Sequence, residues 1–171
     1  RRVVAVHGRA FLNDRTVALH VFGWEDYYAG SVMPKRGQTS GKTVVNQVRA
    51  YEDSKHRRQL AAAIVRGSIH NMRTNVVYYN GRDHDLDGVI EDLEAAAERV
   101  AESLPVDELL GTEATARKAY YRSFNEILPS EFQLTRREYN PPPNEINSLI
   151  SFGNSLVYAN CVSAIRATAL D

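Results

Sequence analysis

The sequence predicts an α+β chain, a small β-rich N-terminal part followed by a larger, all-helical remainder. Three observations carry this reading. Short strand-like apolar runs with turn residues between them occupy the first 33 residues. A basic segment rich in Gly and Ser follows, from Pro34 to Gly41. Beyond it the apolar residues recur with the helical period of about 3.6.

Taken in order, Val3-Val4-Ala5-Val6 is a short β-rich run closed by Gly8. Val17, Leu19 and Val21 alternate with Ala18, His20 and Phe22, the pattern of a strand covered on both faces. Gly23 to Asp26 reads as a turn, and Tyr27 to Ser31 as a second extended run. Residues 1–34 are therefore assigned to a β part, 35–41 to a basic linker and 42–171 to a helical domain. In the helical domain, Val44, Val45, Val48 and Tyr51 mark a short helix. Leu60, Ala61, Ile64, Val65, Ile69, Met72 and Val76 mark a longer one that Asn80-Gly81 stops. An acidic helix is expected from Val89 to Leu104, and a fourth from about Thr112 to Leu128, ended by Pro129. After the stiff Pro141-Pro142-Pro143 spacer, Asn144 is a good N-cap for a last helix running towards Ala169.

With 43% hydrophobic and 25% charged residues the composition is globular rather than disordered. Ile146 to Ile165 is uncharged and of membrane-span length, but its serines and asparagines argue against lipid, so no membrane partner is expected. No basic-then-apolar leader and no initiating Met stand at the N-terminus, so neither a secretory signal nor a natural start is expected. Cys161 is the only cysteine, which excludes a disulfide framework and fits a reducing, cytoplasmic setting. The net charge of zero conceals a segregation. Residues 35–80 carry +7 and residues 81–113 carry −9. A polyanion partner is therefore compatible with overall neutrality, because fields act within about one Debye length.

Three local patterns carry possible chemistry. Gly37 to Thr43 approaches a phosphate-binding P-loop, but three residues rather than four separate its glycines, so a flexible linker is the better reading. Asp83 to Glu94 matches a calcium-binding EF-hand loop at every position, whereas Asn80-Gly81 breaks the entering helix that such a loop needs. An acidic helix start meeting the macrodipole explains the same residues. Glu113 is placed at the opening of the fourth helix, with Arg117, Tyr120 and Phe124 on one face. Spacing alone reads it as a capping charge with an i,i+4 partner, or as a metal ligand. On the last helix Ser148, Ser151, Asn154, Ser155 and Tyr158 form a polar stripe suited either to helix–helix hydrogen bonds or to uncharged phosphate and sugar contacts.

The segment Gly111-Thr112-Glu113-Ala114-Thr115-Ala116-Arg117-Lys118-Ala119-Tyr120-Tyr121-Arg122-Ser123-Phe124 resembles the first-numbered CRISPR-associated (Cas) family, the endonuclease and integrase of spacer acquisition. Pro141 through Tyr158, Val21 through Ser31 and Gln47 through Asn71 resemble it too, in the family's order. The resemblance implies an N-terminal β-sandwich, incomplete here, followed by a larger all-α C-terminal catalytic domain. It implies Mg²⁺ or Mn²⁺ held by Glu113 together with a His and an Asp expected beyond Asp171. On that expectation the 171 residues represent part of a longer enzyme and are inert by themselves. By resemblance Tyr158 and Tyr139 lie near the active site, and Arg117 and Asn154 are DNA or site-shaping contacts. The expected partners are DNA, a second copy of the chain and the small second-numbered Cas subunit. Arg57 and Arg58, in the +7 segment, are assigned to the phosphate-binding surface. A different class of function remains open on the residues alone: a non-catalytic helical interaction module with a calcium-binding loop at 83–94. A nucleotide-binding protein would rest on the defective P-loop alone.

Overall fold

The computed structural model describes residues 18–23, 28–33, 40–138, 141–168 and 170. The expected Val3–Val6 strand, residues 24–27 of the turn, residues 34–39 of the linker and Tyr139 lie outside the described residues. Two compact units are present, residues 1–47 with 138–171, and residues 48–137.

In the first unit, β1 (Leu19–Phe22) and β2 (Tyr28–Val32) pair antiparallel. Among the described residues the sheet has these two strands, and a β-sandwich is not seen there. The register runs Leu19 to Val32, His20 to Ser31, Val21 to Gly30 and then Phe22 to Tyr28, so Ala29 is an unpaired extra residue. Beside it Gly30 takes φ +154°, a conformation that side chains disfavour.

The last helix, α5 (Glu145–Ala167), belongs to the same unit. Asn144 caps it as expected, its Oδ1 accepting from the Asn147 N–H at 3.1 Å. Asn147 is fully buried and satisfied, its Oδ1 accepting from the Glu138 N–H at 2.9 Å and its Nδ2 donating to Asn144 Oδ1 at 2.9 Å. By length and composition α5 could cross a membrane, with a mean hydropathy of 1.2 in its most apolar window. Asn147, Ser148, Ser151 and Asn154 along it oppose burial in lipid.

Helix α1 (Gly41–Glu52) runs into the second unit, whose core is built by α2 (Ser54–Asn80), α3 (Asp87–Glu98) and α4 (Val106–Ile127). Asp53 caps α2, accepting from the N–H groups of Lys55 at 3.0 Å and His56 at 3.1 Å. The His56 hydrogen bond is the main cause that holds its carboxyl below the ordinary value. The cap's contribution to stability is thus complete above the ordinary carboxylate range and is lost as pH falls through the lowered value.

The buried residues of α2 are Ala62, Val65, Ile69, Met72 and Val76, spaced alternately three and four apart. Such a narrow seam leaves Leu60 and Ile64 outside it, at 50% and 72% exposure, although the apolar pattern places both on the core face. Leu93 and Ala96 of α3 and Leu109, Ala116 and Ala119 of α4 meet this seam. Alanine fills four of the twelve buried core positions.

Two helix boundaries differ from expectation. α3 ends at Glu98 rather than Leu104, because the chain turns there and Arg66 of α2 donates to the Val100 carbonyl at 3.1 Å, satisfying a group the helix leaves free. α4 begins at Val106, not Thr112. Pro105 presets the first turn, Asp107 and Glu108 meet the dipole, and Gly111 is carried inside the helix.

Candidate functional site

Because α4 starts early, Glu113 sits in the second and third turns rather than opening the helix. Its neighbours at i−4 and i+3 are the buried Leu109 and Ala116, so its side chain emerges along the edge of the core and is only 14% exposed. Arg117, one turn on and 45% exposed, donates to Glu113 Oε1. The structure thus joins these two expected site residues in one ion pair. Beyond them Tyr120, Tyr121 and Phe124 form a ring cluster, with Tyr120 and Phe124 centroids 5.3 Å apart, and Tyr120 packs on the core.

Arg57 and Arg58 also come together. Both line a cavity of about 490 Å³ with Tyr51, Pro105, Val106 and Asp107. Arg57 lies over the Tyr51 ring, 4.9 Å from its centroid, and donates from Nη1 to the Tyr51 carbonyl at 3.2 Å. The Nε atoms of both arginines are buried without a hydrogen-bond partner among the described residues. Val106 and Asp107 contribute the N-terminus of α4, which has no side-chain cap. The cavity therefore combines two guanidinium groups and an aromatic wall with the Asp107 carboxylate at the start of α4, so its anion-binding groups are the two arginines. Val106 and Glu113 are seven residues apart on α4, hence on one face and about 10 Å apart along the axis. The sequence pattern marks Tyr51 only as part of an apolar helix face, yet it is 68% exposed. An aromatic residue six positions before an arginine pair, across a capped helix break, is the signal that marks it.

Tyr158 and Asn154 lie in the other unit, one turn apart on α5 and both exposed. Tyr158 meets the Tyr28 ring edge-on at 4.9 Å. The polar stripe of α5 is used locally in part, since Ser148 Oγ donates to the Asn144 carbonyl at 3.2 Å.

The calcium-loop alternative does not survive the geometry. α3 starts at Asp87, the fifth loop position, so the later loop positions wind as helix instead of turning around an ion. Glu94, the expected bidentate ligand, instead accepts from Arg73 Nε at 2.8 Å. Asp87 Oδ1 accepts from Asn80 Nδ2 at 2.9 Å. Among the described residues no three His, Cys, Asp or Glu side chains gather to hold a metal. Glu113 offers a single carboxylate, so these residues do not hold Mg²⁺ or Mn²⁺ unaided.

A family model described as "CRISPR associated protein Cas1" matches residues 8–171. The chain is 53% identical over 160 residues to a CRISPR-associated endonuclease Cas1 of Haloferax volcanii, covering 94% of this chain and 48% of that protein. A solved CAS1 protein from Thermotoga maritima superposes with a TM-score of 0.79 at 33% identity, over 95% of this chain and 50% of that one. A casposase bound to its integration product shares the fold, with a TM-score of 0.88 at 20% identity, over 98% of this chain and 47% of that one. The chain spans about half the length of the curated relatives it matches. With the family match running from residue 8 to residue 171, the chain belongs to the Cas1 family of CRISPR-associated proteins.

Proposed function

We propose that the chain is part of a metal-dependent DNA endonuclease and integrase of CRISPR adaptation, which inserts captured DNA fragments as new spacers. The 3′-hydroxyl oxygen of the fragment attacks a phosphodiester phosphorus of the repeat DNA. One P–O bond forms and one breaks, and the departing 3′-oxygen receives a proton in exchange for the one the attacking hydroxyl gives up. Bonds are exchanged like for like, so no external energy source is required.

The observation that carries this reading is Glu113, a carboxylate held at the rim of a rigid helical core with Arg117 beside it, in a chain that belongs to the Cas1 family. Glu113 would contribute one ligand to Mg²⁺ or Mn²⁺, with a His and an Asp of the complete protein as the others. A metal held there would supply charge neutralisation for the phosphate. Arg117 holds the Glu113 carboxylate in place, while Arg57 and Arg58 take a phosphate of the same strand. Tyr158, Tyr139 and Asn154 contact DNA without charge. The complete protein works as a homodimer with the small second Cas subunit, in the cytoplasm.

Two measurements test the reading. With the full-length protein and Mn²⁺, a fragment ending in a 3′-deoxynucleotide is expected not to join, because its attacking oxygen is missing; joining at the normal rate would refute the chemistry. Changing Arg57 and Arg58 together to Ala is expected to lower the slope of log affinity against log salt by about one unit for each phosphate that is no longer neutralised. An unchanged slope removes both residues from the DNA surface.

A further inference from the structure

The hairpin and α5 are joined by a chain of side-chain contacts that the expected site does not explain. In a regular strand Tyr28 and Ser31, three residues apart, face opposite sides. The extra residue at Ala29 breaks that alternation, and the Tyr28 hydroxyl meets Ser31 Oγ. Ser31 is the cross-strand partner of His20, whose Nδ1 lies 2.6 Å from the same Oγ. The other ring nitrogen, Nε2, lies 2.9 Å from Ser163 Oγ on α5. Tyr28 in turn sets its ring edge-on to Tyr158, at 4.9 Å and 65°. Tyr158 and Ser163 are five residues apart, about 7.5 Å along α5, so the hairpin grips this helix at two points.

Tyr158 is 54% exposed, and the Tyr28 ring packs against it. A long side chain exposed to that degree samples several rotamers unless a neighbour restricts it. We propose that the bulged hairpin is a positioning device for Tyr158. Tyr28 fixes the direction of its ring, and His20 holds Tyr28 by way of Ser31 while anchoring α5 by way of Ser163. The consequence for DNA rests on the reading of Tyr158 as a DNA contact; the positioning itself does not.

The experiment places 3-fluorotyrosine at position 158 of the full-length protein and follows its ¹⁹F resonance beside DNA affinity. Tyr28→Leu is expected to shift and broaden the resonance, whereas Tyr28→Phe, which keeps the ring and loses only its tether to Ser31, moves it less. His20→Ala, which releases both Ser31 and Ser163, moves it, and His20→Gln, whose amide can both donate and accept, restores it. For DNA, Tyr28→Leu weakens binding about three- to tenfold, the scale of one aromatic pair. Tyr158→Leu does the same, and the double variant is no weaker than either single one. A resonance indifferent to both Tyr28→Leu and His20→Ala overturns the proposal. Binding losses that multiply in the double variant overturn it also, since residues acting through one another do not add independently. If Tyr158→Leu binds DNA normally while the resonance responds as described, the positioning stands and the DNA role of Tyr158 falls.

Discussion

Replacing Glu113 by alanine in the full-length protein is expected to abolish metal-dependent strand joining while leaving the fold intact. The two halves of that expectation come from different observations. Activity is lost because the carboxylate is the single acidic group between Gly111 and Phe124 of α4, and removing it leaves only Arg117 at that place. The fold survives because Glu113 is a rim group rather than a core group. An i,i+4 pair of this kind contributes about 0.5 kcal/mol to a helix. Arg117, already well exposed, can turn to water when its partner is gone. Integration assays in Mg²⁺ and Mn²⁺, beside circular dichroism and thermal melting, give both readings at once. Joining at the wild-type rate would end the ligand role. Glu113→Gln separates charge from shape, and should be as inactive as the alanine variant.

The largest loss of stability is expected from Leu93→Ala. Leu93 is fully buried where α3 meets the α2 seam and α4, and it is among the largest side chains in that core. Truncating a buried leucine costs about 2–5 kcal/mol, the transfer term plus the cavity left behind. Set against a typical total of about 5–15 kcal/mol, that is enough to leave a substantial unfolded population. Leu110→Ala is the matching control. Leu110 is exposed on α4, and its loss should change stability by about 0.5 kcal/mol or less. Urea unfolding of both variants decides the matter, and equal losses would show that the seam is not the core.

Much of the architecture is legible in the sequence because its causes are local. The Asn144 cap, the Asn80-Gly81 stop and the spacing of Val65, Ile69, Met72 and Val76 each act over a turn or two of chain. The end of α3 is not legible, because the group that satisfies Val100 comes from Arg66, 34 residues earlier. The start of α4 at Val106, six residues before the expected Thr112, carries Gly111 inside the helix. A glycine inside a helix costs about 1 kcal/mol, which the packing of Leu109, Ala116 and Ala119 outweighs. Of the candidate site, Glu113 comes from resemblance rather than spacing, and its pairing with Arg117 from the i,i+4 rule. The cavity at Arg57 and Arg58 depends on Pro105 and Val106, nearly a third of the chain away, a proximity that no local pattern encodes. Calcium binding at 83–94 fails for a related reason. The ligand types are right, but helix α3 begins at Asp87, inside the expected loop, and Glu94 and Asp87 are paired with Arg73 and Asn80 instead.

The alanines of the core set how this unit can change. At Ala62, Ala96, Ala116 and Ala119 there is only a methyl group to trim and little room to enlarge, since an added methylene in a packed interior costs about 1–3 kcal/mol. A mutational scan of these positions would therefore look rigid when taken singly, and permissive only in pairs that trade a larger residue on one helix for a smaller one on its neighbour. Change in this interior is therefore expected as exchange between helices rather than by single steps.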